Sequence, residues 1–302
     1  MLIKFMKRLS FVLLLMALTG LVSCDQEWDD SADSTVLPHS STTETTDERE
    51  KVLQELLAKY PNTAYAELMA EAAKVTYYRG KSVAYFGASL VNLPECALAR
   101  YVVEKALGCH ITNYGHGGYG YAAPNNLQGY ARNMGQHDIY IFWGTTNDYS
   151  LNVPVGQPTD YTEEDGYDVT KLKTACGGMN YAIAQARRIN PDALLLGYST
   201  VKMFNGVRLD GSLRTSKHTN KVGAHFYDYV DAQLACFKRA DIPCLNVWDW
   251  DFFTHGNWSE YYMADGTHMQ HGGYFFLSMQ HLKFLIKMAK DDHVTGIEDI
   301  VM

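Results

Sequence analysis

The 302-residue chain lacks several features that would decide its class at once. Its apolar run at Phe11–Val22 is 12 residues long, short of the roughly 20 that a membrane-spanning helix needs. Cysteine is sparse. Beyond Cys24 there are Cys96, Cys109, Cys176, Cys236 and Cys244, with no C-x-x-C pair and no zinc-ligand spacing. An odd number permits a disulfide but leaves at least one thiol free or paired between chains. Only 8 prolines and 24 glycines occur, without an internal repeat, which excludes a collagen-like chain. With 47% hydrophobic and 20% charged positions, neither disorder nor coiled coil is the main theme. Positive charge is also scarce: 26 basic residues face 34 acidic ones, and residues 51–302 hold 22 bases against 25 acids. That balance offers no electrostatic footprint for nucleic acid. There is no Walker loop, and no G-x-S-x-G, since Val91 occupies the final position. What remains is enough chain for one large domain or two small ones.

The N-terminus reads as an address. Lys4, Lys7 and Arg8 precede the apolar run, and residues 1–23 contain no acid, the pattern of a cleaved secretion signal. The run ends in Leu21-Val22-Ser23-Cys24, which resembles the lipobox of bacterial lipoproteins. That resemblance implies acylation of Cys24, a lipid anchor and a place in the cell envelope. Residues 25–50 carry nine acids and nine Ser/Thr against one Arg, so segment 24–50 is expected to be a disordered tether. Its leading acids, Asp25, Glu27, Asp29 and Asp30, resemble a surface-export signal; a solvated periplasmic spacer is the alternative.

From residue 51 the pattern changes. Two helical stretches within 51–80 lead into short apolar runs at 82–86, 110–114, 139–143, 193–198 and 243–247. Between these lie helix-length segments at 95–107, 126–134, 170–189 and 220–239, and a last helix is expected at about 272–290. Alternating strands and helices predict an α/β three-layer sandwich with a five-stranded parallel sheet. The domain would span 81–290, with a C-terminal tail at 291–302. The connection 149–169 is long and contains five acids and no base. A connection of that length usually carries function or moves.

In open parallel sheets, ligands bind beyond the carboxyl ends of the strands. The segments that follow the expected strands are Gly87-Ala88-Ser89-Leu90, Gly115-His116-Gly117-Gly118, Gly144-Thr145-Thr146-Asn147-Asp148 and, before the last helix, Asp265-Gly266-Thr267-His268. Taken singly, Ser89 reads as a strand-end cap and Asn147-Asp148 and Asp265-Gly266 as turns. His268 alone is an ordinary polar residue near a helix start. Gly115 to Gly120 also fits G-x-G-x-x-G, but Pro124 follows closely and the next strand ends in Trp143-Gly144 rather than an acid.

The ordered set of four resembles the SGNH (GDSL-like) hydrolase superfamily over about residues 80–285. The resemblance implies a flavodoxin-like fold and a serine esterase needing no cofactor or metal. It assigns a nucleophile to Ser89, a base to His268 and its orienting carboxylate to Asp265. The oxyanion hole would comprise the backbone N–H groups of Ser89 and Gly118, with Gly117 the nearby alternative, and the Asn147 side-chain amide. Two departures stand out: Ala88 replaces the family's Asp, and an extra residue separates Gly144 from Asn147. The expected substrate is a short acyl ester, acetyl foremost, on a small molecule or polysaccharide. A catalytically silent glycan-binding protein and a lipase or thioesterase are the alternatives. Trp143, Trp248, Trp250 and Trp258 are expected in the core or stacked on sugar rings. His116 is expected to line the pocket or face water, and His271 to lie on a helix surface.

Overall fold

The computed structural model describes residues 45–61, 63–161, 171–204, 214 and 216–290. The signal segment, Cys24, most of the tether, the acidic half of the 149–169 connection and the C-terminal tail lie outside them. No helix among the described residues is long and apolar enough to cross a membrane.

Helix α1 (Thr46–Lys59) opens on a capping box, in which Thr45 Oγ1 accepts the Glu48 N–H and Glu48 accepts the Thr45 N–H. Helical backbone therefore begins four residues before Glu50, inside the segment whose composition reads as tether. The Thr45-x-x-Glu48 signal is local, and averaging over the segment hides it. Glu50 accepts from Lys105 (2.7 Å) and Tyr101 (2.5 Å), which pins α1 to the domain. Those hydrogen bonds, Lys105 foremost, hold its carboxyl down at about 2. Helix α2 (Thr63–Ala73) follows.

The domain proper runs β1 (Ser82–Gly87), α3 (Ser89–Asn92), α4 (Cys96–Leu107), β2 (His110–Gly115), α5 (Gln128–Ala131), β3 (Ile139–Trp143), α6 (Asn147–Ser150), α7 (Ala175–Ile189), β4 (Leu194–Tyr198), α8 (Phe226–Arg239), β5 (Cys244–Leu245), α9 (Trp258–Tyr261) and α10 (His271–Lys290). The five strands form one parallel sheet in the order β2-β1-β3-β4-β5. This is the flavodoxin-like order, whose ligand crevice lies where β1 and β3 meet.

Strand alternation assigns the two faces. Val83, Tyr85, Ile139, Ile141, Trp143, Leu196 and Tyr198 pack on one side with α4 and α10, and α1 and α2 lie against that layer. Ala84, Phe86, Tyr140, Phe142 and Leu195 pack on the other with α5, α7 and α8. Both faces are buried, which is why the strands read as continuous apolar runs.

Several boundaries differ from the sequence expectation for local reasons. Strand β5 stops at Leu245 because Asn246 Oδ1 accepts the Trp248 and Asp249 N–H groups and turns the chain. Helix α8 starts at Phe226 rather than near 220, because Asn220 Oδ1 accepts the Val222 and Ala224 N–H groups and His225 caps the helix with Asp228. The connection from β4 to α8 is thereby longer than the sequence suggests. Helix α7 begins at Ala175, where Thr174 accepts the Gly177 N–H. The helix expected at 126–134 shrinks to the single turn of α5. All five described cysteines are buried, and no disulfide joins them to one another.

Candidate active site

Ser89 is the first residue of α3, two positions beyond the end of β1. Its Oγ lies 2.8 Å from His268 Nε2, although 179 positions separate the two residues. His268 Nδ1 lies 2.5 Å from Asp265 Oδ2. The second carboxylate oxygen, Oδ1, accepts the Thr267 and His268 backbone N–H groups at 2.9 Å each. Burial alone would push the Asp265 carboxyl up, but these two N–H groups and the His268 ring together hold it below the ordinary carboxylate value. The sheet therefore brings Ser89, His268 and Asp265 into one hydrogen-bonded chain. The Asp265 turn is itself moored to the exit of β4, because the Phe204 N–H donates to the Gly266 carbonyl at 2.6 Å.

The glycine-rich turn after β2 lies beside the first. The His116 N–H donates to the Gly87 carbonyl at 2.9 Å. Gly118 adopts φ +81°, a left-handed conformation that suits glycine, and open space surrounds the place a Cβ would occupy. Neither the Ser89 nor the Gly118 N–H donates to another described residue. Both are thus free to donate elsewhere.

Asn147 opens α6 beyond β3 and is tied to the same turn. Its Nδ2 donates to the Tyr119 carbonyl at 2.8 Å and to Thr145 Oγ1 at 3.2 Å. An oxyanion bound by Asn147 would take over one of these hydrogens. The next residue, Asp148, is fully buried, with Oδ2 2.8 Å from the Tyr121 N–H and Oδ1 2.9 Å from the Ala122 N–H. The β3 exit thus fastens the loop after Gly118 at Tyr119, Tyr121 and Ala122. Sequence reasoning sees Asn147 and Asp148 as motif letters; it has no signal for the Tyr119 carbonyl or the Phe204 N–H, which act through backbone.

Other singled-out residues fall as follows. Ala88, where the resemblance expects Asp, is buried. Trp143 and Trp248 are core residues, whereas Trp250 and Trp258 are half-buried against the core margin. His116 is 5% exposed and stacks on Tyr130 with ring centroids 3.5 Å apart. His271 is half-buried at the start of α10 and helps line a cavity of about 280 Å³ between α1, α9 and α10. The chain after β2 forms turns, and the next helix is the short α5, so no helix opens on the G-x-G-x-x-G segment.

No protein-family model and no curated protein matches the chain. Solved structures do resemble it. A Lactobacillus plantarum protein overlays with a TM-score of 0.57 at 19% identity, covering 72% of this chain and 99% of that one. A Chitinophaga pinensis protein described as a possible lipase gives 0.52 at 17% identity, over 69% of this chain and 98% of its own. A Bacteroides ovatus protein described as a GDSL-like lipase gives 0.49 at 14% identity, over 69% and 99%. At such identities the likeness is one of fold: a five-stranded parallel sheet between helical layers.

Proposed function

We propose that the protein is a serine ester hydrolase of the SGNH type acting on short acyl esters, acetyl foremost, carried by carbohydrates. The observation that carries this reading is the hydrogen-bonded chain Ser89–His268–Asp265 at the carboxyl end of a flavodoxin-like sheet. A serine hydroxyl becomes a useful nucleophile when a base takes its proton as it attacks. In this reading Ser89 Oγ attacks the ester carbonyl while His268 Nε2 accepts the hydroxyl proton and Asp265 fixes the ring. The negative charge that forms on the carbonyl oxygen is met by the Ser89 and Gly118 N–H groups and by the Asn147 amide. Collapse expels the alcohol, which takes the proton from His268. Water, giving a proton to His268, then attacks the acyl-serine; Ser89 Oγ leaves with that proton and the acid is released.

Chain length of the acyl group follows from the connection after β3. A long-chain lipase commonly carries an apolar lid. Here Tyr149 and Val153 are buried in the core and only Leu151 is an exposed aliphatic in the described part. The remainder, 162–170, carries four acids and lies outside the described residues. A connection whose sequence is polar and acidic suits a hydrated, hydroxyl-rich substrate. The signal segment and Cys24 add a lipid anchor, which would hold the domain at the cell envelope near polymers; both also lie outside the described residues.

Covalent labelling by a fluorophosphonate tests the reading. Wild type is expected to label and Ser89→Ala to remain blank and lose ester hydrolysis. A Ser89→Ala variant that keeps more than a few per cent of activity would remove Ser89 from the role, and an unlabelled wild type would favour a silent binding protein. Nitrophenyl esters of rising chain length test the substrate: acetyl should be cleaved faster than octanoyl, and acetylated polysaccharide should release acetate. Activity that rises with length would leave a lipase or thioesterase instead. Detergent partitioning of Cys24→Ala, expected to fall relative to wild type, tests the anchor.

A further inference from the structure

Asp148 takes no part in the steps just described, yet it is the fully buried carboxylate nearest the proposed oxyanion loop. It accepts the Tyr121 N–H at 2.8 Å and the Ala122 N–H at 2.9 Å, and the Ala123 N–H is also directed at it. All three donors lie in the turn that begins at Gly118. Gly120 in the same turn makes room for the carboxylate, since a Cβ there would stand 2.5 Å from Asp148 Oδ1 and 2.8 Å from Ala123 Cβ. From the other side, Asn147 and Thr145 hold the Tyr119 carbonyl. A buried carboxylate normally needs a cation or several donors. Here the donors are backbone N–H groups of the loop that follows Gly118.

We infer that Asp148 is a positioning residue: its carboxylate latches the Gly118–Ala123 loop to the end of β3 and so fixes where the oxyanion donors point. The inference rests on the ester-hydrolase reading for its catalytic consequence, but the latch itself can be measured separately. Ionisation is part of the device. Deprotonated, Asp148 offers acceptor lone pairs to every N–H aimed at it; protonated, one oxygen becomes a donor facing a donor and the latch loosens. Burial, opposed by those backbone N–H groups, lifts the carboxyl to about 6. Among the described residues, Tyr121 and Tyr229 are ionisable side chains that feel its charge, and burial raises both hydroxyls, so both stay neutral at that pH. The loop would therefore release in mildly acidic solution.

The experiment compares wild type with Asp148→Asn and, from the loop side, Gly120→Ala. Asparagine keeps the shape and one acceptor but turns an amide donor toward the loop. Hydrogen exchange at the Tyr121 and Ala122 amides should speed up by about tenfold or more in Asp148→Asn, the loss expected for a hydrogen bond to a charged acceptor. On a nitrophenyl acetate substrate, kcat should fall by about 10–10² with KM nearly unchanged, the cost of misplacing a catalytic group by about 1 Å. The acid limb of kcat should be less steep in Asp148→Asn than in wild type. A merely structural carboxylate would lower the melting temperature and leave the KM-against-kcat split and the slope alone. Unchanged amide exchange, or kcat within threefold of wild type in both variants, overturns the inference. If wild type fails to label with fluorophosphonate, the hydrolase reading falls, and exchange at Tyr121 and Ala122 still decides whether Asp148 holds the loop.

Discussion

The substitution Asp265→Asn isolates one element of the proposed chemistry with little disturbance to the fold. Asp265 Oδ1 is held by the Thr267 and His268 N–H groups at 2.9 Å. An asparagine oxygen can keep both of those bonds, which places its amide nitrogen where Oδ2 now stands, 2.5 Å from His268 Nδ1. That amide can only donate, so Nδ1 must accept and the ring proton moves to Nε2. Nε2 faces Ser89 Oγ at 2.8 Å. In the variant it would present a proton there and could not take one. A wrong tautomer of this kind costs about 10³–10⁴ in kcat when the geometry is otherwise kept. At about 1.36 kcal/mol per decade this is roughly 4–5.5 kcal/mol of transition-state stabilisation. The assay is kcat on nitrophenyl acetate, with Ser89→Ala as the background to be subtracted and the fluorophosphonate labelling rate as a second readout. Melting should stay within a few degrees of wild type. A folded Asp265→Asn enzyme within tenfold of wild type in kcat would refute the claim that Asp265 sets the tautomer.

Removing the Asn147 amide in Asn147→Ala should lower kcat by about 10²–10³ with little change in KM; a rise in KM alone would mean that Asn147 holds ground-state substrate. Gly197 in β4 packs against Phe237, and a Cβ would lie 2.7–2.9 Å from three ring carbons, so Gly197→Ala should cost about 1–3 kcal/mol in urea unfolding and be partly restored by adding Phe237→Leu. His281 is fully buried, stacked on Tyr198 at 4.0 Å and edge-on to Trp143 at 4.7 Å, and neither ring nitrogen has a partner among the described residues. Burial pushes it down to about 3, so the unfolded chain takes up a proton below about 6.5 that the folded one refuses, and stability should fall by up to about 1.4 kcal/mol per pH unit between those values. His281→Phe should flatten that slope; unfolding midpoints at pH 7.5 and 5 that shift equally in both proteins would show that His281 does not supply it.

The sheet was legible because each strand is buried on both faces and reads as an unbroken apolar run; β3 falls where its sequence run lies, at Ile139–Trp143. The errors of boundary came from single polar side chains whose hydrogen bonds outrank the run around them. Asn246 ends β5 early, Asn220 folds the approach to α8, and Thr45 with Glu48 starts α1 inside an acidic, Ser/Thr-rich stretch. At the candidate site, Ser89, Asp265 and His268 were legible as side-chain chemistry placed beyond strand ends. What joins them was not. The Phe204 N–H on the Gly266 carbonyl and the Tyr119 carbonyl under Asn147 are backbone groups, which any residue could supply.

Burial of an ionisable side chain does not by itself mark function, and Asp148 and His281 separate the two cases within one domain. Both are withdrawn from water, and in both burial displaces the pKa toward the neutral form. Asp148 spends its acceptors on the N–H groups of one loop, and that loop presents a donor the proposed reaction needs. His281 spends nothing: it lies among the rings of Tyr198 and Trp143, and neither nitrogen has a partner among the described residues. An unpaired buried polar group costs about 1–3 kcal/mol, so an apolar ring of similar shape at 281 should raise stability and leave kcat untouched. Replacing Asp148 should instead lower kcat, because the loop loses its anchor. Activity should thus respond at Asp148 and stability alone at His281, and the partners of each group, not its depth, decide which.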